Sequence, residues 1–449
     1  MAKKQLTKEE KLQAALVPEE EQPYKVPENW CWVRLSSVAK VITGGTPSKK
    51  HPEYYGSDFP FFKPADLDSG RSIVEASEYL SAEGKSVARI IPAHSTAVCC
   101  IGTIGKCGYL EVDGATNQQI NSMIPKINPL YLYYYANTEL FISQLWSKAV
   151  ATTISIVNKS KMESNNVPLP PLTEQSRIVA RIESLFAKLD DAKEKIQKVL
   201  DGADLRRAAI LHQAFTGKLT AKWRLEHDLS IDDWCDLKLG DVITRIKYGT
   251  SEKSDYNKSA FPVLRIPNIT DDGLDLSDLK YLPKADDSCR VNKDDILVIR
   301  SNGSRNLVGK CVLVPELDNV YFYASFLIGI SPSERVIAEF LVRFLNSEEA
   351  RGQIFAKAKS SAGIHNVNSK ELKAIEIKLP SISEQQEIVR LLDNLLSREQ
   401  STVTACDEAL TTIDTLKKSI LARAFRGELG TGDPADPSAK ELLREILSA

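Results

Sequence analysis

What this chain lacks narrows its chemistry before any motif does. No apolar run in its 449 residues approaches the roughly 20 that a membrane-spanning helix needs, which excludes a helical membrane protein. The opening MAKKQLTKEEKLQAAL has no apolar signal core, so the expected compartment is the cytoplasm. Cysteine occurs at Cys31, Cys99, Cys100, Cys107, Cys235, Cys289, Cys311 and Cys406, with no pair at the two-residue separation that chelates zinc; reduced thiols are expected. His51, His94, His212, His227 and His365 are scattered without ligand spacing, and neither metal nor cofactor is expected. The nearest phosphate-loop candidate, Gly303 to Lys310, spaces its glycines one residue too far apart and puts Cys311 where magnesium needs Ser or Thr. Gly102, Gly105 and Lys106 read as a tight turn. No Gly-x-Ser-x-Gly elbow, His-Glu-x-x-His helix, kinase set or Asn-Pro-Pro-aromatic tetrad occurs. Positive charge is not in excess either: 58 Lys and Arg against 60 Asp and Glu leave a net charge of −2, so any binding of a polyanion rests on local patches.

What is present is a duplication. PLPPLTEQSRIV, Pro168 to Val179, returns as KLPSISEQQEIV, Lys378 to Val389, with Glu174 and Glu384 at an offset of 210 (384 − 174). AFTGKL, Ala214 to Leu219, returns as AFRGEL, Ala424 to Leu429, with Phe215 and Phe425 at the same offset. An unbroken register between the two motifs means that an element of fixed length was copied, and a repeat of this kind decides architecture. Trp30, Cys31 and Val38 answer Trp234, Cys235 and Val242, and Gly105, Lys106 and Cys107 answer Gly309, Lys310 and Cys311. The scaffold is shared while the loops differ.

Each copy has a strand-rich part punctuated by Gly, Pro, Asn and Asp, which stops at a proline and gives way to helical periodicity. In the first helix Ile178, Ile182, Leu185, Leu189, Ala192, Ile196, Val199 and Ala203 follow a heptad seam; in the second, Ile388, Leu392 and Leu395 lead through a weaker middle at Glu399 and Thr402 to Cys406, Ala409, Ile413, Leu416 and Ile420. Thr173 and Ser383 stand where N-caps are expected, and Gly217 and Gly427 lie just past the helix ends. About forty helical residues make a rod of roughly 60 Å. The expected fold is α+β: two globular units joined by two long antiparallel helices, a coiled-coil spacer, with an internal pseudo-twofold repeat. The boundaries read as a charged N-terminal tail 1–25, a globular unit 26–170, a long helix 171–220, a second unit 230–380, a second helix 381–429, and a linker with a short amphipathic helix 430–449 carrying Leu442, Leu443, Ile446 and Leu447.

Two such motif pairs, bracketing two long helices at constant length, resemble the specificity subunit of type I restriction-modification systems over nearly the whole chain. The resemblance implies two target-recognition domains, each reading one half of a bipartite site on double-stranded DNA. It implies that the helices act as a ruler and dock two adenine-methyltransferase subunits, with restriction subunits, a helicase-nuclease, joining outside them. It also implies that this chain is not itself an enzyme. The rival readings are the DNA-binding part of a single-chain restriction and methylation enzyme, a nuclease with an unrecognised site, for which Glu376 and Lys378 are the nearest residues, and a purely structural coiled-coil adaptor.

Candidate DNA contacts follow from residue chemistry. Thr46, Ser48, Lys49 and Lys50 in GGTPSKK, and Lys247 to Lys253 in the second unit, offer lysines to phosphates. Arg300, Asn302, Ser304, Arg305 and Asn306 in RSNGSRN combine groups that chelate guanine or adenine edges. Asn117, Gln118 and Gln119 suit adenine or an internal hydrogen-bond network equally, and Lys148, Lys357 and Lys359 suit phosphates.

Overall fold

The β-branched and aromatic runs of each copy pair into the same small sheets, because each sheet buries one face of alternating side chains. A computed structural model describes residues 8–151, 155–258, 261–271, 273–284, 286–361 and 364–448. It divides into two units, Met1–Ile196 with Glu408–Ala449, and Gln197–Asp407. In the first, Cys31–Arg34 pairs antiparallel with Asn166–Leu169, so the two ends of the globular part form one ribbon. An antiparallel sheet runs in the order Ala39–Thr43, Ile120–Pro125, Ser95–Cys99, Cys107–Leu110. A smaller sheet pairs Phe59–Phe62 in parallel with Ala115–Thr116. The second unit repeats all three: Cys235–Lys238 with Glu376–Leu379, the order Ile243–Tyr248, Leu327–Pro332, Ile296–Ile299, Cys311–Leu313, and Phe261–Leu264 parallel with Phe322–Tyr323.

The repeated Glu-Gln pair lies in the first turn of each long helix and is buried in both copies. Glu174 accepts from the Trp30 indole at 2.8 Å and Glu384 from the Trp234 indole at 2.9 Å. Gln175 accepts from the Asn128 amide at 3.0 Å and Gln385 from the Ile337 amide at 2.8 Å, each at the start of a short helix. Each Gln also donates to the carbonyl of the proline five residues before it. One dipeptide thereby joins the entry strand, a core helix and the long helix, satisfying buried polar groups that would otherwise carry a desolvation cost.

The first long helix runs Leu172–Asp201 and resumes as Ala203–Phe215, stopping short of the expected 171–220. The interruption is Gly202, over which the Arg206 side chain folds to reach the Val199 carbonyl at 2.8 Å. The second helix is continuous, Ile382–Ala424. Gly217 and Gly427 take φ of +74° and +76°, the left-handed conformation that ends a helix without a Cβ clash. Capping is displaced from the expected Thr173 and Ser383. Ser381 caps the second helix through Glu384 N at 3.3 Å, and Pro171 occupies the corresponding place in the first, so Thr173 is free to bond Asp436 at 2.7 Å.

Within each unit the two helices run antiparallel. In the first, Lys193 meets Asp414 at 3.5 Å while Asp190 pairs with Lys417, and Ile178 and Ile182 are buried with Ile420, Leu421 and Phe425. In the second, Ile388 and Leu392 pack with Ile210, Leu211 and Leu396. Leu185, Leu189, Ile196 and Leu395 are half-buried along the seam and Ile413 is buried. The expected stripe drifts by one residue toward its C-terminal end: Leu416 is 44% exposed, and Lys417 takes the inward place over the Phe186 ring. A straight helix has 3.6 residues per turn, so a strict heptad reading walks off the face over several turns. Glu399, read as a weakness, is a polar layer: its carboxylate is 11% exposed and receives Arg206 at 2.7 and 3.0 Å.

The terminal segments are part of the first unit: the expected short C-terminal helix is present, and the N-terminal segment packs as a helix rather than standing out as a charged tail. Lys8–Ala15 and Ala439–Ser448 are helices in contact, and Leu12, Ala15, Ala439 and Leu443 join the core around Trp30, Tyr131 and Phe425. Val17 donates to the Trp32 carbonyl at 2.9 Å and Ala439 to the Asn29 carbonyl at 2.9 Å.

Candidate nucleic-acid interface

The two glycine loops owe their position to a backbone approach that no other residue tolerates. A Cβ on Gly44 would lie 2.1 Å from the Asn117 carbonyl oxygen, and one on Gly249 2.3 Å from that of Ala324. Gly44 and Gly45 donate to the carbonyls of Ile120 and Thr116 at 2.9 and 2.8 Å; Gly249 and Thr250 donate to those of Leu327 and Tyr323 at 3.2 and 2.9 Å. In each unit the loop is therefore pinned to the turn that enters the main sheet, 116–120 in one and 323–327 in the other.

In the first unit the Thr46 hydroxyl meets Oε1 of Gln118, the Ser48 hydroxyl accepts from the Lys50 amide at 3.3 Å, and Tyr55 donates to the Pro47 carbonyl at 2.7 Å. Lys49 and Lys50 are exposed and form no ion pair among the described residues. Asn117 and Gln119 bond each other at 3.0 Å, so the internal-network reading holds for those two, while Gln118 stays exposed. Lys148 is half-buried, with its ammonium 2.7 Å from Oδ1 of Asn165. Burial, helped by the nearby Arg34 charge, pulls its pKa down to about 8.

The second unit gathers most of its candidates. Ser301–Asn302, Ile364–Asn366 and Lys359–Ser361 form one three-stranded patch, which brings RSNGSRN beside the segment of Lys357 and Lys359. Lys357 is half-buried at the end of the helix Glu348–Lys357, and the Lys359 side chain lies outside the described residues. Arg300 lies over the Tyr248 ring at 4.4 Å, adjoining the strand that carries exposed Lys247. Asn302 accepts from the Ser304 amide at 2.7 Å, a turn that leaves Ser304 and Arg305 exposed. Arg305 and Arg351 flank the Phe355 ring at 5.2 and 4.9 Å, and Arg351 reaches the Asn306 carbonyl. Burial holds the Arg351 guanidinium below its ordinary pKa. Lys106 and Lys310, equivalent by sequence, each take an aspartate partner, Asp68 at 2.7 Å and Asp271 at 2.9 Å.

Glu376 and Lys378 belong to the edge ribbon, both exposed, with Lys378 3.4 Å from Asp236 across the strand. Among the described residues no three His, Cys, Asp or Glu side chains cluster as a metal site, and no helix is long and apolar enough to cross a membrane. The sequence reading passed over the turn 324–326. Its residues share no chemistry with 117–119, and the two turns are marked as equivalent by their flanking strands and by the backbone bonds to the glycine loop.

With two equivalent units in view, the decisive comparison is with a domain family. The model of the type I restriction modification DNA specificity domain matches twice, at residues 27–201 and 231–405. The chain belongs to this family. Each DNA specificity domain comprises one globular part and the beginning of the long helix that follows it. The chain is 26% identical over 437 residues to the EcoKI specificity subunit of Escherichia coli (strain K12), covering 90% of each protein. The HsdS subunit of Thermoanaerobacter tengcongensis superposes with a TM-score of 0.64 at 20% identity, over 91% of this chain and 99% of that one. A chain from a structure on assembly and conformational transition of the type I R-M system gives a TM-score of 0.69 at 20% identity, over 90% and 100%. At that identity the two superpositions establish the fold of the specificity domains and helices.

Proposed function

We propose that this chain is the DNA-recognition subunit of a type I restriction-modification complex and reads a bipartite site, one unit per half-site, in the cytoplasm. The observation that carries the reading is the double match to one DNA specificity domain, with the same anchors in both copies and different loops between them. Shared anchors keep the two readers alike, whereas divergent loops suit two different base sequences.

In the first unit, Thr46, Ser48, Lys49 and Lys50 face DNA. In the second, Lys247, Arg300, Asn302, Ser304, Arg305, Asn306 and Lys357 do so. The lysines neutralise phosphates, and Arg300, Asn302, Arg305 and Asn306 are the groups suited to base edges. Lys148 is assigned to holding Asn165 instead, because its ammonium is already bound. The helices set the separation between half-sites, as paired modules do on successive turns of a groove. Two adenine-methyltransferase subunits and restriction subunits supply methylation and ATP-dependent cleavage, and this chain contributes sequence recognition without a catalytic group.

The test exchanges residues 30–168 for the corresponding unit of a relative and reads the sequence methylated by the assembled complex. One half of the recognised sequence changes and the other stays. Retention of the complete original target overturns the two-reader assignment.

A further inference from the structure

The two units differ in chemistry at a place where their backbones are bonded alike. Turns 117–119 and 324–326 follow the same parallel strand, lead into the same sheet strand and are pinned by the same glycine loop. The first carries Asn-Gln-Gln and the second Ala-Ser-Phe. In the second, Phe326 is 57% exposed, although its backbone is tightly held: its carbonyl accepts from Arg300 N at 2.9 Å, Ser325 donates to Thr250 O at 2.7 Å, and Leu327 donates to Ala324 O at 2.9 Å. A benzyl ring more than half exposed, on a backbone held this closely, presents an apolar face to a partner. Its surroundings are mixed. Phe326 lines a depression of about 300 Å³ with Ile266 and Pro267 on one hand and Glu252, Lys253 and Arg265 on the other, Arg265 being paired with Asp278 at 3.0 Å, and Arg300 is stacked on Tyr248 beside it. In the first unit Asn117 and Gln119 satisfy each other, so Gln118 is the outward member of the turn, beside Thr46.

We propose that these equivalent turns are base-reading elements of the two units, with Phe326 contacting a thymine methyl in the major groove and Gln118 hydrogen-bonding an adenine edge. This inference rests on the function proposed above and deepens it, because it assigns different modes of readout to the two half-sites. An apolar ring against the C5-methyl distinguishes thymine from cytosine, and a glutamine presents both a donor and an acceptor to adenine N7 and N6. Lys253, exposed on the loop that lines the same depression, neutralises phosphate beside the ring, which keeps an exposed aromatic side chain suited to DNA rather than to another apolar surface.

The test uses the full chain assembled with its methyltransferase partners and a library of randomised duplexes, reading which sites are methylated. Phe326→Ala lowers discrimination at one thymine of the second half-site by about tenfold, in the range of a single mismatch, and leaves the first half-site and the spacing unchanged. Uracil in place of that thymine removes only the methyl group; it costs the unaltered complex a similar factor and costs the Phe326→Ala complex nothing further. Phe326→Leu retains part of the preference, and Gln118→Ala flattens one adenine position in the first half-site. Thermal denaturation of each variant matches that of the unaltered chain, because both side chains are exposed. Full discrimination retained by Phe326→Ala, or an equal loss at every position, overturns the inference. If the unaltered complex selects no bipartite site, the function proposed above fails; if it selects one and Phe326→Ala leaves it intact, only the assignment of the turn fails.

Discussion

Glu174 and Glu384 occupy the same place in the two copies but carry different electrostatic loads. Glu384 accepts from Trp234 at 2.9 Å and from both Thr220 and Arg224 at 2.6 Å, and all four residues are buried. Glu174 accepts from Trp30 at 2.8 Å and from Thr431 at 3.2 Å, with no arginine bonded to its carboxylate among the described residues. Truncating Glu384 to Ala strands a buried guanidinium, and such losses run to about 3–5 kcal/mol. Truncating Glu174 to Ala strands an indole N–H and a hydroxyl, at about 1–3 kcal/mol. Denaturant unfolding of the two variants is expected to rank them in that order, with Glu384→Ala the more damaging; equal shifts would contradict the role given to Arg224. Such pairs explain how far residues could be read directly. The motif spacing identified both glutamates, but the indole partners lie 144 and 150 positions away, and no local periodicity encodes a contact of that range. The reading loops resisted for another reason: Lys148 and Lys49 are both lysines in polar segments, and only the fold gives one a buried Asn165 and leaves the other in water.

At the scale of elements, periodicity revealed the long helices and the short C-terminal helix because each carries an apolar stripe, while the N-terminal segment read as a charged tail because a helix of 8 residues owes its stability to what it packs on. The C-terminal segment is held to the start of the first long helix by Asp436, which takes Arg177 and the Thr173 hydroxyl and is 7% exposed. The Arg177 hydrogen bond, seconded by Thr173, lowers the Asp436 pKa from its ordinary 3.8. A carboxylate with a depressed folded-state pKa contributes stability that is complete above the ordinary value and is lost as the pH falls through the folded one. Asp436→Asn reproduces that loss at neutral pH. Hydrogen exchange at 431–448 is expected to quicken in Asp436→Asn at pH 7, and to change little in the unaltered chain between pH 7 and pH 5. Unchanged protection in the variant would mean that Leu443 and Ala439, both fully buried, hold the segment without the ion pair.

At the scale of the whole molecule, the helices matter through their length and their mutual register. Lys193 with Asp414 and Asp190 with Lys417 keep one antiparallel register in the first unit, and Arg206 with Glu399 supplies a half-buried polar pair in the second. A polar pair at an apolar seam favours one register over its neighbours. Shortening one helix alone would therefore break these pairs, whereas removing one heptad from each helix at matched positions preserves them. Seven residues are two turns of a seam, so the surviving side chains keep facing the partner helix, with a drift of about 20°. At 1.5 Å per residue the pair shortens by about 10 Å, close to three base pairs of about 3.4 Å each. If the helices measure the distance between half-sites, the methylated site of the complex carrying the matched deletion keeps both half-site sequences and loses about three base pairs between them. Deletion from 187–201 alone should instead abolish specific methylation, because the polar layer and the salt bridges can no longer form together. A matched deletion that leaves the spacing unchanged would remove the ruler from the proposal and leave the two readers in place.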